Sequence, residues 1–148
     1  VIAMANILIV EDEKNRSDPF ENLLKANRHR VYWTDASSVA LGFLKLGTPD
    51  GGTIDLLVLD LWVILRFPDG PSLEEEGFHL LSAIREDQSL ATLPVIGWTF
   101  FLDDQDHQLE AMFQEGGGNA FFRHPIDHDE FLRTVAELLA WAKQEEQE

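Results

Sequence analysis

The residues best suited to chemistry in this 148-residue chain stand at the ends of apolar runs. Glu11 and Asp12 follow Ile7 to Val10, Asp60 follows Ile54 to Leu59, Thr99 follows Leu93 to Trp98, and His124 follows Ala120 to Arg123. Adjacent carboxylates repel one another, which is tolerable where they face bulk water or share a cation. Taken alone, Glu11 and Asp12 fit a solvated strand end and a metal seat equally well. The second run that ends in an acid, at Asp60, repeats the form and gives the pair a context.

These residues need elements to hold them. ILIVEDE (7–13) opens as a strand buried on both faces, the kind found in parallel sheets. In FENLLKANRH, Phe20, Leu23, Leu24 and Ala26 share one helical stripe. HRVYWTD (29–35) is β-branched and aromatic enough for a second strand. Asp35 or Ser37 can cap a helix carrying Val39, Ala40, Phe43, Leu44 and Leu46, which Gly47, Pro49, Gly51 and Gly52 end. IDLLVLDLWV (54–63) reads as the third strand. A long connection over 61–76, with a turn signal at ProAspGly, leads to a third helix from Gly77. LPVIGWTFF (93–101) is the fourth strand, a fourth helix starts near Asp104, and NAFFRHP (119–125) is a fifth strand closed by Pro125. The last helix, from Asp127 as cap, buries Phe131, Leu132, Val135, Leu138, Leu139 and Trp141.

Five strands alternating with five helices select an α/β fold, a parallel sheet covered on both faces with right-handed crossovers. Ligands of such sheets bind beyond the carboxyl ends of the strands. That rule gathers Glu11, Asp12, Asp60, Thr99 and His124 on one rim. The domain is expected over residues 4–143, with 144–148 as a charged tail and no output domain after it.

Composition narrows the function. The formal charge of −16, from 27 acids against 11 Lys and Arg, disfavours direct binding to nucleic acid or to an anionic membrane. Without cysteine, disulfides, thiolate catalysis and Cys-based zinc sites are excluded. No apolar run approaches the roughly 18 residues of a membrane span, and no signal peptide is evident, so a soluble, cytoplasmic protein is expected. His107 and His128 are too far apart for zinc-type spacing and sit among acids, which reads as solvation. Gly116 to Gly118 end a helix without the Lys-Ser/Thr of a phosphate loop. No serine lies at a Gly-x-Ser-x-Gly elbow. Trp33, Trp98 and Trp141 read as core or half-buried residues.

With these motifs in order, the chain resembles the CheY-like receiver domain of bacterial two-component response regulators over nearly its full length. ILIVEDE matches the acid pair, DLLVLDLW the phosphoacceptor strand, LPVIGWT the strand ending in a switch hydroxyl, and AFFRHP the strand that normally ends in Lys-Pro. The resemblance implies a flavodoxin-like three-layer (βα)5 fold with strand order 2-1-3-4-5. It implies phosphorelay signal transduction, with Asp60 accepting a phosphoryl group from a histidine kinase or phosphotransfer protein. Mg2+ would be held by Asp12, Asp60 and the backbone carbonyl of Trp62, with Glu11 helping. Thr99 would bond the phosphoryl group, and Phe121 would occupy the aromatic switch position. The physics agrees. A hard cation reverses the local field, keeps several waters and bridges carboxylate and phosphoryl oxygens. Transfer through a loose transition state then needs mainly positioning and charge neutralisation.

The sequence departs from this pattern in three places. His124, preceded by Arg123, replaces the lysine; an imidazole reaches less far and is not a permanent cation, so His124 either still contacts the phosphoryl group, with weaker or pH-sensitive signalling, or is only a polar strand end. The family's glycine shortly after the acceptor is matched only by Gly77, so LWVILRFPDGPSLEEE looks like an insertion that forms a lid or partner surface or packs on the domain. Gly97 and Trp98 replace aliphatics, which implies altered packing near Thr99.

Three functions compete. A phosphorylated stand-alone receiver would signal to an unidentified output protein through its fourth helix, fifth strand and fifth helix, and a homodimer is one arrangement such contacts allow. A degenerate receiver would only dock. A magnesium-dependent phosphatase, the one enzymatic option, wants an Asp two residues after the nucleophile, where Trp62 stands.

Overall fold

The computed structural model describes residues 4–11, 13–61, 73–99 and 106–146, with only the backbone at 73–77 and 106–108. The elements are β1 (Asn6–Val10), α1 (Lys14–Ala26), β2 (Arg30–Thr34), α2 (Ser37–Leu46), β3 (Leu56–Asp60), α3 (Leu73–Glu86), β4 (Val95–Thr99), α4 (Asp106–Glu115), β5 (Ala120–Arg123) and α5 (His128–Glu146). All neighbouring strands pair in parallel, in the order β2-β1-β3-β4-β5. The parallel sheet expected from the strand and helix alternation, and the flavodoxin-like order implied by the resemblance, are therefore present.

Side-chain alternation along each strand divides the core in two. Ile7, Ile9, Leu56, Val58, Ile96, Trp98 and Phe122 point to the layer of α1 and α5, where they meet Phe20, Leu24, Phe131 and Val135. Leu8, Val10, Leu57, Leu59, Leu61 and Val95 point to the other layer and meet Ala40, Leu44, Leu80, Leu81, Ile84 and Phe113. At the Gly97–Trp98 pair the two layers trade volume. The Trp98 indole is buried and packs on Phe20 with centroids 4.8 Å apart. On the opposite face the missing side chain of Gly97 makes room for Phe113, whose Cζ lies 3.0 Å from where a Cβ would stand.

Several boundaries differ from expectation. α1 begins at Lys14, well before its apolar stripe, and carries Pro19 inside it; Ser17 is buried and its hydroxyl donates to the Lys14 carbonyl at 2.8 Å. Ala26 is exposed, because the stripe needs only Phe20, Leu23 and Leu24 to cover the sheet. The residue before α2 is Ala36, with no side-chain cap from Asp35 or Ser37, and Val39 and Leu46 (89% exposed) face outward. α3 starts at Leu73 rather than Gly77, so the acidic stretch of the expected connection is helical; residues 62–72 lie outside those described. β3, β4 and β5 are shorter than the apolar runs that contain them. A 3-10 turn at Gln88–Leu90, capped by Asp87, went unread. α5 continues to Glu146, so 144–146 are helix rather than tail, and Asp127 does cap it, accepting from the Glu130 N–H at 3.0 Å. Trp141 is 37% exposed, since Phe131, Val135 and Ala142 already fill that face.

Candidate functional site

Parallel register brings the carboxyl ends of β1, β3, β4 and β5 side by side. Val10 is level with Leu59, so Glu11 and Asp60 are each one residue further along neighbouring strands. Asp60 is level with Trp98, and Thr99 with Arg123. The backbone continues this alignment past the strands: Glu11 N–H donates to the Thr34 carbonyl at 3.0 Å, Leu61 N–H to Trp98 at 2.8 Å and His124 N–H to Thr99 at 2.9 Å.

Glu11 and Thr99 are fully buried and Asp60 is 1% exposed. Burying two carboxylates on adjacent strands is costly unless other groups compensate their charge. Part of that compensation is local, since Glu11 Oε1 accepts the Glu13 N–H at 3.1 Å. Carboxylate oxygens brought together this way are hard donors, and their chemistry fits a magnesium ion that retains several waters. Asp12 and the Trp62 carbonyl, the other expected ligands, lie outside the described residues.

The groups at the end of β5 separate. His124 is exposed, just past the strand and joined to Pro125 by a cis peptide. Arg123 turns to the α4 side: its Nη2 lies 2.6 Å from Glu110 Oε2, and its guanidinium sits over the Phe121 ring at 5.3 Å. Phe121 is half-buried, 6.2 Å from Phe113. The expected constellation is thus brought together in part: Glu11, Asp60 and Thr99 are buried neighbours, His124 adjoins Thr99 through its backbone, and Phe121 lies on the α4 side of β5. Glu110 and Phe113 were not anticipated. Nothing local in the sequence pairs Glu110 with Arg123, but GlyGlyGly beside an aromatic was a readable sign of close packing. His128, expected to be solvated, is exposed, and the side chain of His107 lies outside the description.

No protein-family model matches the chain. The polar-differentiation response regulator DivK of Brucella ovis is 25% identical over 134 residues, covering 90% of this chain and 95% of that protein. A response regulator from Thermotoga maritima superposes with a TM-score of 0.71 at 19% identity, over 93% of this chain and 99% of that one. The CheY-like response regulator receiver domain protein of Methanospirillum hungatei JF-1 gives a TM-score of 0.71 at 17% identity, over 97% and 99%. By sequence the chain is a relative of the response regulators, and its fold is that of their CheY-like receiver domains.

Proposed function

We propose that the chain is a phosphorelay receiver in which Asp60 accepts a phosphoryl group from a sensor histidine kinase or phosphotransfer protein. The observation that carries this reading is the burial of Glu11, Asp60 and Thr99 at the carboxyl ends of adjacent parallel strands. An Asp60 carboxylate oxygen bonds to phosphorus as the bond to the donor's leaving atom breaks, and the leaving atom keeps that electron pair. Magnesium, held by Glu11, Asp12, Asp60 and the Trp62 carbonyl, would neutralise charge on the transferring group. Glu11 keeps its carboxylate aimed by accepting from the Glu13 amide, and Thr99 offers a hydroxyl to a phosphoryl oxygen. The reading is of a signalling module, not of an enzyme that turns over a free substrate. Its signal passes to a protein partner across α4, β5 and α5, where Arg123, Phe121 and Glu110 already form one cluster. Among the described residues no helix is long and apolar enough to cross a membrane.

A docking module without phosphorylation is the second reading, and the exposure of His124 with Arg123 drawn toward Glu110 favours it. Intact mass after incubation with magnesium and acetyl phosphate separates the two. A phosphoryl adduct on the wild type, absent from Asp60→Asn, is expected. No adduct, with no magnesium-dependent rise in melting temperature, would assign the chain to docking alone.

A further inference from the structure

At the end of the sheet opposite Asp60, the segments entering β1 to β4 meet the end of α2 and the second half of α5 around a cavity of about 720 Å³. That is within the ~300–1,000 Å³ common for small-molecule sites. Ala5, Leu44, Ile54, Leu90, Leu93 and Leu139 supply its apolar wall. Its charged lining is Lys45, Lys143, Asp55 and Glu146. Asp55 is engaged, since its Oδ2 accepts the Asn6 N–H at 2.8 Å. Neither lysine forms an ion pair among the described residues, although Lys45 is close enough to Asp87 to lower its pKa. Two lysines in one lining are notable in a chain with 27 acids and 11 Lys and Arg.

His29 gives the cavity a built polar group. The residue is only 8% exposed. Nδ1 accepts the Ala5 N–H at 3.3 Å. Burial lowers the imidazole pKa from 6.5, so the ring is neutral at pH 7 and its proton sits on Nε2, which has no hydrogen-bond partner among the described residues. The cavity therefore offers an apolar body, two lysines and an imidazole N–H.

We propose that this cavity binds a small aliphatic carboxylic acid, with its chain on the leucine wall, its carboxylate at Lys45 and Lys143, and His29 donating to a ligand oxygen. Part of the wall is α5, the helix assigned above to output, so such a ligand would act on the receiver independently of Asp60.

The test is amide NMR titration of the full chain with octanoate and, separately, octan-1-ol. Saturable shifts at His29, Leu44, Lys45 and Leu139 below about 10 mM octanoate are expected, with octan-1-ol binding several-fold more weakly. Lys45→Gln/Lys143→Gln should remove octanoate's advantage, and Ala140→Phe, on an exposed helix position, should block both ligands. Asp60→Asn should bind as the wild type does, which keeps this result separate from the phosphorylation reading. Absence of saturable shifts, equal affinity for the alcohol, or indifference to Ala140→Phe would each overturn the proposal.

Discussion

Phe113 lies between two glycines, and that arrangement makes Gly118→Ala a sharp test of the packing under the site. A Cβ on Gly118 would stand 2.1 Å from Phe113 Cε2, 2.3 Å from Cζ and 2.4 Å from Cδ2, against 3.4–4 Å for an ordinary contact. The ring would have to move by about an ångström or more, yet it is fully buried and bounded on its far edge by the Gly97 backbone and Leu61. Overpacking of this kind costs about 1–3 kcal/mol, here toward the upper end. The loss of chain freedom in the unfolded state returns about 0.4–1 kcal/mol. The net expectation is a destabilisation of about 2 kcal/mol.

Removing the obstacle should remove most of that cost. Phe113→Leu alone should destabilise by about 1–2 kcal/mol, from lost ring contacts. In its background, Gly118→Ala should cost no more than about 0.5 kcal/mol, giving a coupling near 1.5 kcal/mol in a double-mutant cycle. Urea unfolding monitored by tryptophan fluorescence measures all four proteins. If the two effects add to within about 0.5 kcal/mol, the ring does not fill the space over Gly118 and the packing argument fails.

Other expectations follow from single contacts. The Arg123–Glu110 pair is about one-third exposed, at 32% and 30%, so its coupling in a cycle with alanine should be about 0.5–1 kcal/mol and should shrink at about 1 M salt; a coupling insensitive to salt would refute an ionic origin. Burial lowers the pKa of His29 below 6.5, so below that pH the unfolded chain binds the proton that the folded one resists, and stability falls with pH. His29→Asn, which keeps an acceptor for Ala5, should flatten the loss between about pH 7 and 5.5 measured by urea unfolding, and an unchanged slope would show that other groups cause it. His124→Lys should raise the yield of the acetyl phosphate adduct, because a longer permanent cation can reach the phosphoryl group, while Arg123→Lys should not; equal yields would leave the β5 end without a part in transfer.

Much of the architecture was legible because the apolar runs end where the strands end and turn residues separate them. Ile7–Val10 and Leu56–Asp60 could be read at once, since strands buried on both faces have almost no polar residues to blur them. Helix starts were harder. The first turn of α1 is polar and lacks a side-chain cap, and α2 begins after Ala36, so neither announces itself by the usual residues. The start of α3 was masked by Gly77, a residue normally read as punctuation that here lies inside the helix. Of the site, the gathering of Glu11, Asp60 and Thr99 on one rim follows from strand ends and topology, but their near-complete burial does not, since strand ends were expected near solvent. The split between Arg123 and His124 does not, because it depends on where Glu110 lies one helix away.

A charge placed on Asp60 must reach the α4 side through β4, and the two faces of that strand are not equivalent. Trp98, level with Asp60, is wedged on Phe20, with Phe131 packed 5.2 Å from that ring. Moving it would disturb the larger part of the α1–α5 core, so that route is stiff. Thr99 points to the other layer by strand alternation, and its strand neighbour is Arg123, whose partners Glu110 and Phe121 are only half-buried. Repacking there breaks one partly exposed ion pair and shifts one ring beside Phe113, costs of about a kcal/mol each, which is the scale a two-state signalling element can switch. Trp98 thus fixes the α1 side of the sheet, while Gly97 and Gly118 seat Phe113 in the opposite layer and leave the adjustable contacts, Arg123–Glu110 and Phe121, beside α4.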